Sequence, residues 1–146
     1  MKRNFEYPII LRSEKKGAFT VRFPDIPEAI TSGTNREDAL SQAVDCLDEA
    51  IAGRIADGLE ILVPSEPKPK QLLVAVPAPM AAKAALYLAM RDSKTTNTAL
   101  ARRLRCDEKE VRRMLDPRHS TKLARIVMAL QLLGRRLIVG VSERAA

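Results

Sequence analysis

Hydrophobic and polar residues alternate at the start of the chain. In Asn4-Phe5-Glu6-Tyr7-Pro8-Ile9-Ile10-Leu11-Arg12, Phe5, Tyr7, Ile9 and Leu11 fall on one side of an extended backbone, a period of two that predicts a strand. The polar run Ser13-Glu14-Lys15-Lys16-Gly17 ends in the residue that tolerates positive φ. Phe19, Val21 and Phe23 alternate again behind it, so a hairpin is expected. Pro24-Asp25-Ile26-Pro27 interrupts pairing, because proline has no N–H for a ladder, and Ala29-Ile30-Thr31 is a short third strand. After Thr34 the period changes. Thr34-x-x-Glu37 has the form of a capping box, and Leu40, Val44, Leu47, Ile51 and Ile55 follow at three- and four-residue steps. Asp38, Asp45, Asp48 and Glu49 take other faces of that helix, and Gly58 suits its left-handed end.

Pro64-Ser65-Glu66-Pro67-Lys68-Pro69-Lys70 has no apolar side chain after its first proline and reads as a hinge near 64–70. Gln71 to Val76 is strand-like and is assigned to the first sheet. Met80 to Arg91 is helical, rich in Ala, Leu and Met. Ser120 to Leu133 is a further helix, with Leu123, Ile126, Val127, Leu130 and Leu133 on one face and Gly134 closing it. Arg135 to Val141 is short and β-branched, a strand with no partner in its own half, which points to pairing with another chain. The expected class is α+β: a β-β-β-α-β domain at 1–76 and a helical domain at 77–146 that ends in a short strand.

Charge sharpens this division. Residues 1 to 66 hold 8 basic and 12 acidic residues, a net of −4, whereas residues 67 to 146 hold 17 basic and 6 acidic, a net of +11. No apolar stretch approaches the roughly 18 residues of a membrane span, and no apolar h-region follows the N-terminal charges, so the expected location is the cytoplasm. Cys46 and Cys106 lie far apart and His119 stands alone, too few and too scattered for a disulfide scaffold, a zinc site or a nucleophile–histidine pair. Glycine-rich phosphate loops are absent. Tyr87 is the one aromatic residue of the basic half, which disfavours a stacking platform for single strands.

The informative segment is Asn97 to Asp116. As two helices crossing at a short turn, its inward positions are Leu100, Leu104, Cys106, Val111 and Met114 or Leu115, with small Ala101 at the crossing. That is the spacing by which a helix-turn-helix holds its second helix rigidly against its first. Asp107-x-x-Glu110 can cap the second helix. At 100° per residue, Lys109, Arg112 and Arg113 lie within about 100° of one another, opposite Val111 and Leu115. Lys109, Arg112, Arg113 and Glu108 are therefore the candidates for base edges in a major groove. Thr96, Asn97, Thr98, Arg102, Arg118 and Lys122 are candidates for phosphates. Arg105 occupies the turn position where such motifs usually carry glycine.

Tyr7-Pro8-Ile9, Gly17-Ala18-Phe19-Thr20-Val21-Arg22-Phe23-Pro24-Asp25-Ile26-Pro27, Ile30-Thr31-Ser32-Gly33-Thr34 and Glu37-Asp38-Ala39-Leu40 resemble the HicB antitoxin family over about residues 5 to 60. Where that family often has Gly-Cys after the Pro-Asp-Ile-Pro run, this chain has Glu28-Ala29. The resemblance implies a degenerate RNase H-like domain without nuclease activity that occludes a small basic HicA-type toxin acting on mRNA. It also implies a C-terminal DNA-binding domain, for which the 97–116 spacing selects helix-turn-helix over ribbon-helix-helix. Such proteins repress their own operon as dimers or higher even oligomers. On this reading Asp25 and Glu28 face the toxin, and Leu137, Ile138, Val139 and Val141 form the dimer contact.

The expectation is therefore a non-enzymatic antitoxin with no metal and no cofactor, whose partners are a HicA-type toxin, double-stranded operator DNA and a second copy of itself, and which does not engage a membrane. Two rival readings stand beside it. One is a stand-alone transcription regulator with a ligand-sensing N-terminal domain. The other is a metal-dependent nuclease using the acids of the first half.

Overall fold

The structure, a computed structural model, describes residues 2–143. It divides into two compact units: the chain up to Arg54 together with Glu60–Pro77, and Ile55–Leu59 together with the chain from Ala78 onward.

In the first unit, β1 (Glu6–Pro8) pairs antiparallel with β5 (Leu73–Ala75), while β2 (Ile10–Ser13), β3 (Phe19–Phe23) and β4 (Ile26–Gly33) form an antiparallel meander. The single strand expected over Phe5–Leu11 is thus two strands. Pro8 offers no N–H, the Ile9 N–H still reaches Leu72 O at 3.0 Å, and from Ile10 onward the ladder runs to β3. Tyr7 and Ile9 are buried, as period two requires. The hairpin closes through a 3-10 turn at Lys15–Gly17, where both Lys16 (φ 58°) and Gly17 (φ 78°) are left-handed.

The third strand is longer than the sequence suggested. Arg22 faces Ile30 but Phe23 faces Ile26, so Pro27, Glu28 and Ala29 fill a bulge in which no ladder donor is required of the proline. The strand 71–76 joins this unit through β5, as expected.

Helix α1 (Arg36–Ala56) begins one residue later than the Thr34 box predicts. Asn35 Oδ1 accepts from the Asp38 N–H at 2.8 Å, and Asp38, rather than Glu37, reaches back to the Thr34 N–H at 2.8 Å. Its inward face also differs at the start. Ala39 and Ala43 are fully buried, followed by Leu47 and Ile51, whereas Leu40 is half-buried and Val44 exposed. The cause is close approach: a Cβ placed on Gly33, at the end of β4, would stand 2.2 Å from the Ala39 nitrogen. Only a small side chain fits the helix face that meets this backbone.

Residues 64–70, expected to be a hinge, lie within the first unit. Ile61 is buried, the Tyr7 hydroxyl donates to Leu62 O at 2.8 Å, and Asp25 Oδ2 accepts from both the N–H and the hydroxyl of Ser65 at 2.9 and 3.0 Å. Gln71 Nε2 donates to Ile9 O at 3.2 Å. The prolines of 64–70 therefore shape a return path docked inside the first unit. Burial, aided by the Asp25 charge, pushes the Tyr7 phenol up to about 12.

The second unit carries α2 (Ala78–Asp92), α3 (Asn97–Leu104), α4 (Glu108–Leu115) and α5 (Leu123–Leu132) around one apolar core that includes Leu86, Leu100, Val111, Met114, Ile126 and Leu130. Residues 135–143 form no regular element, so the expected terminal strand is absent. A strand needs a neighbouring ladder, and among the described residues no strand lies in this unit. Leu137 rests half-buried against the helical core, while Ile138, Val139 and Val141 are exposed. Among the described residues no helix is long and apolar enough to cross a membrane.

Gly33→Ala is expected to destabilise the protein by about 1–3 kcal/mol or more, because the new methyl meets backbone that cannot swing aside. Urea unfolding followed by circular dichroism checks it; an unchanged midpoint would contradict the packing described.

Candidate nucleic-acid interface

Helix α3 starts at Thr96, whose hydroxyl accepts from the Ala99 N–H at 3.1 Å. It ends in a Schellman motif, with the Cys106 N–H on Ala101 O at 3.0 Å and the Arg105 N–H on Arg102 O at 3.3 Å. Arg105 takes the left-handed position of that motif (φ 56°, ψ 47°), so the turn keeps the ordinary glycine geometry with an arginine in place. Helices α2 and α5 end in the same way, with Lys94 (φ 53°) and Gly134 (φ 72°) at the corresponding positions.

Three residues separate α3 from α4. The inward set is the one the spacing indicates: Leu100, Ala101, Leu104, Val111 and Met114 are buried, with Cys106 and Leu115 half-buried. The Asp107 box does not form. Asp107 makes no side-chain cap, and the Glu110 carboxylate is held instead by Arg125 at 3.2 Å.

The outer face of α4 exposes Glu108, Lys109, Arg112 and Arg113. Glu108 and Arg112 approach to 3.6 Å across one turn, a solvent-exposed pair that restrains neither side chain strongly. Asn97 is half-buried and shares a shallow depression with Arg112, Leu115, Asp116 and Pro117, which brings the start of α3 beside the end of α4. Thr98 and Arg102 are exposed one turn apart on α3, and Arg118 and Lys122 are exposed in the segment that follows α4. Of the phosphate candidates, Thr96 is thus engaged as an acceptor in its own cap, and its hydroxyl proton remains available.

Other basic residues serve the fold. Arg103 donates to Leu132 O at the end of α5, and Arg91 donates to Gly58 O at 2.8 Å while standing over the Tyr87 ring. Tyr87 is buried with its hydroxyl on Leu59 O at 2.6 Å, which removes it from any stacking role. Lys83 is 4 % exposed, and its ammonium donates to Arg113 O, Met114 O and Thr121 Oγ1 at 3.2, 2.9 and 2.9 Å. Sequence reasoning missed it. The signal was a single lysine inside the apolar run Met80–Met90, a helix buried on nearly every side.

Two acids of the first unit, Glu28 and Asp25, are held by partners. Both Glu28 oxygens accept from the Arg54 guanidinium at 2.7 Å, which holds the carboxyl below its ordinary range, and Asp25 is bonded to Ser65. Asp45 and Glu49 are exposed on α1; burial, together with their two charges, raises Asp48. Among the described residues no group of three His, Cys, Asp or Glu side chains converges on a point where a metal ion could sit.

Residues 6–85 match the family model described as a HicB-like antitoxin of bacterial toxin-antitoxin systems. The chain is 40 % identical over 137 residues to antitoxin HicB 2 of Photorhabdus laumondii, covering 94 % of this chain and 96 % of the relative. It is 33 % identical over 131 residues to antitoxin HicB of Escherichia coli, covering 90 % and 95 %. Antitoxin HicB of Pseudomonas fluorescens is 31 % identical over 140 residues, 94 % of each chain.

Three substitutions test the local assignments. Arg105→Gly is expected to stabilise the protein by about 1 kcal/mol and Gly134→Ala to destabilise it by a similar amount, since both positions are left-handed; urea midpoints that move the same way would refute this. Glu28→Gln is expected to lower the melting temperature at neutral pH. Because the folded carboxyl lies below its ordinary value of 4.5, the pair's contribution is present above that value and is lost as pH falls through the folded one. The gap to the wild type should narrow on acidification; melting curves that stay parallel would argue against the pair.

Proposed function

The chain belongs to the HicB-like antitoxin family, a family of antitoxins rather than enzymes, and from that premise we propose a division of labour between its two units. The first binds and occludes a HicA-type toxin. The second is a helix-turn-helix domain that binds operator DNA, so that the protein represses its own operon from the cytoplasm.

The observation that carries the DNA half is the two faces of α4. Its inner face is seated on α3 by Val111 and Met114, and its outer face offers Lys109, Arg112 and Arg113 without a buried acid among them. A short helix with donors on a rigid mount is suited to guanine O6 and N7, with Glu108 as an acceptor for a cytosine amino group. Arg102, Arg118 and Lys122, with Thr96, Asn97 and Thr98, would fix the register on phosphates.

For the toxin half, support comes from the family and from charge: a half with net −4 complements a basic partner and speeds its capture. The order of strands and helix supports a degenerate RNase H-like fold. Asp25 and Glu28 are tied to Ser65 and Arg54, so in such a complex they would shape the edge the toxin meets. Leu137, Ile138, Val139 and Val141 would supply the contact between two copies, which suits a palindromic operator.

Arg113→Ala is expected to weaken operator binding by about 1–3 kcal/mol and relax sequence preference. Arg118→Ala should weaken all sequences alike and flatten the salt slope by roughly one. Anisotropy titrations on operator and random duplex at several salt concentrations separate the two; identical losses from both variants would contradict the assignment. Co-expression with the neighbouring reading frame, read by co-purification and growth rescue, tests the toxin half.

A further inference from the structure

We propose that Lys83 is a positioning residue for operator recognition: its buried ammonium closes the C-terminal end of α4 and so sets where the basic outer face of that helix stands.

The reasoning begins with how the helices of the second unit end. An α-helix leaves its last four carbonyls without an intrahelical partner. Helices α2, α3 and α5 meet this locally, through Schellman motifs with a left-handed residue at Lys94, Arg105 and Gly134. Helix α4 has no such motif. Asp116 precedes Pro117, whose ring disfavours helical backbone in the residue before it, and Asp116 is extended (φ −72°, ψ 115°). The chain leaves α4 straight: the Asp116 N–H reaches Arg112 O at 2.9 Å and Arg113 O at 3.2 Å, and the Met114 carbonyl beyond them has no backbone donor.

Lys83, from the middle of α2, supplies the donor for Met114 O. All three of its ammonium protons have acceptors: Met114 O, the Arg113 carbonyl beside it, which also takes the Asp116 N–H, and the Thr121 hydroxyl just before α5. Burial pushes the Lys83 pKa down, and the nearby Asp116 charge acts in the opposite sense. A positive group on the helix end also complements the α4 dipole.

The consequence differs from that of a local cap. A Schellman motif moves with its helix, whereas a cation from α2 fixes the end of α4 within the unit. Arg113 contributes both a carbonyl to Lys83 and a side chain to the exposed face, so the pin acts on the residue that the helix-turn-helix reading places against a base. The proposal rests on that reading.

The test uses full-length Lys83→Met, which keeps the stem's bulk and removes the donors. Binding is measured against the duplex upstream of the protein's own gene and against random duplex, at a temperature where circular dichroism shows the variant folded. We expect the operator-to-random ratio to fall at least about tenfold. Affinity for random duplex and its salt slope should stay put, because the buried charge meets no phosphate. If Lys83→Met does not fold, Thr121→Val, which removes one acceptor of the pin, should lower the ratio by a smaller factor.

An unchanged ratio overturns the proposal while leaving the helix-turn-helix reading intact. An equal loss on both duplexes overturns it too, since it would show Lys83 serving stability alone. If the wild type itself prefers neither duplex, the helix-turn-helix reading falls and takes this inference with it.

Discussion

In a helix of eight residues, half the backbone carbonyls have no partner inside the helix, and the second unit contains two such helices. Leaving those groups buried and unbonded costs about 1–3 kcal/mol each, a large fraction of what a small domain has to hold it together. Their satisfaction is therefore the constraint around which the unit is arranged. Three helices solve it by turning the chain left-handed at Lys94, Arg105 and Gly134. The fourth is followed by Asp116-Pro117, which forbids that solution, and takes its donor from Lys83. The apolar seating of Val111 and Met114 then works together with a polar tie at the helix end, and the two fix α4 more tightly than either would alone.

The same constraint reinterprets the charge. A net of +11 after residue 66 suggests a uniformly attractive surface. Much of it is internal. Lys83, Arg91 and Arg103 bond to helix-end or turn carbonyls, and Arg125 and Arg135 lie within 3.2 and 3.8 Å of Glu110 and Asp92. Arg102, Arg105, Lys109, Arg112, Arg113, Arg118 and Lys122 face solvent together on α3, α4 and the segments beside them, while Lys68, Lys70, Lys94 and Arg136 are exposed elsewhere. The first group is the one that forms a contiguous basic face for an anion outside the protein. In the first half, likewise, Asp25, Glu28 and Asp38 hold backbone or arginine, while Asp45 and Glu49 stay in water.

Much of the fold was legible because it rests on local pattern. The alternation at Phe19–Phe23, the long α1 and the inward set of α3 and α4 all follow from period and residue size. What was not legible depends on approach between distant segments. Periodicity picks Leu40 and Val44 for the inner face of α1, since it ranks side chains by apolar bulk; the approach of Gly33 selects Ala39, since there the smallest fits, and Ala43 is buried one turn on. The change of partner at Ile9 depends on β5, more than sixty residues away. The apolar tail from Leu137 has strand-forming residues but no ladder beside it, and propensity cannot supply one.

The candidate site divides in the same way. The exposed basic face of α4 is a matter of helical phase and could be read directly. The elements that hold it could not, because each departs from the residue type its role normally takes. Arg105 stands where glycine is usual, and the Schellman hydrogen bonds show that the backbone accepts the left-handed turn regardless, at a strain of about 1–2 kcal/mol. Lys83 stands where an apolar residue would complete the pattern of α2. Both look like errors in a scheme that sorts residues by hydrophobicity, and both have a physical reason at the two ends of one turn-and-helix unit. Arginine in the turn keeps a charge at the surface at some expense in backbone energy. Lysine in the core carries a charge inward to the end of α4, where the sequence has left the Met114 carbonyl without a backbone donor. A departure from pattern flanking a well-formed motif is thus where the forces that orient the motif are to be sought.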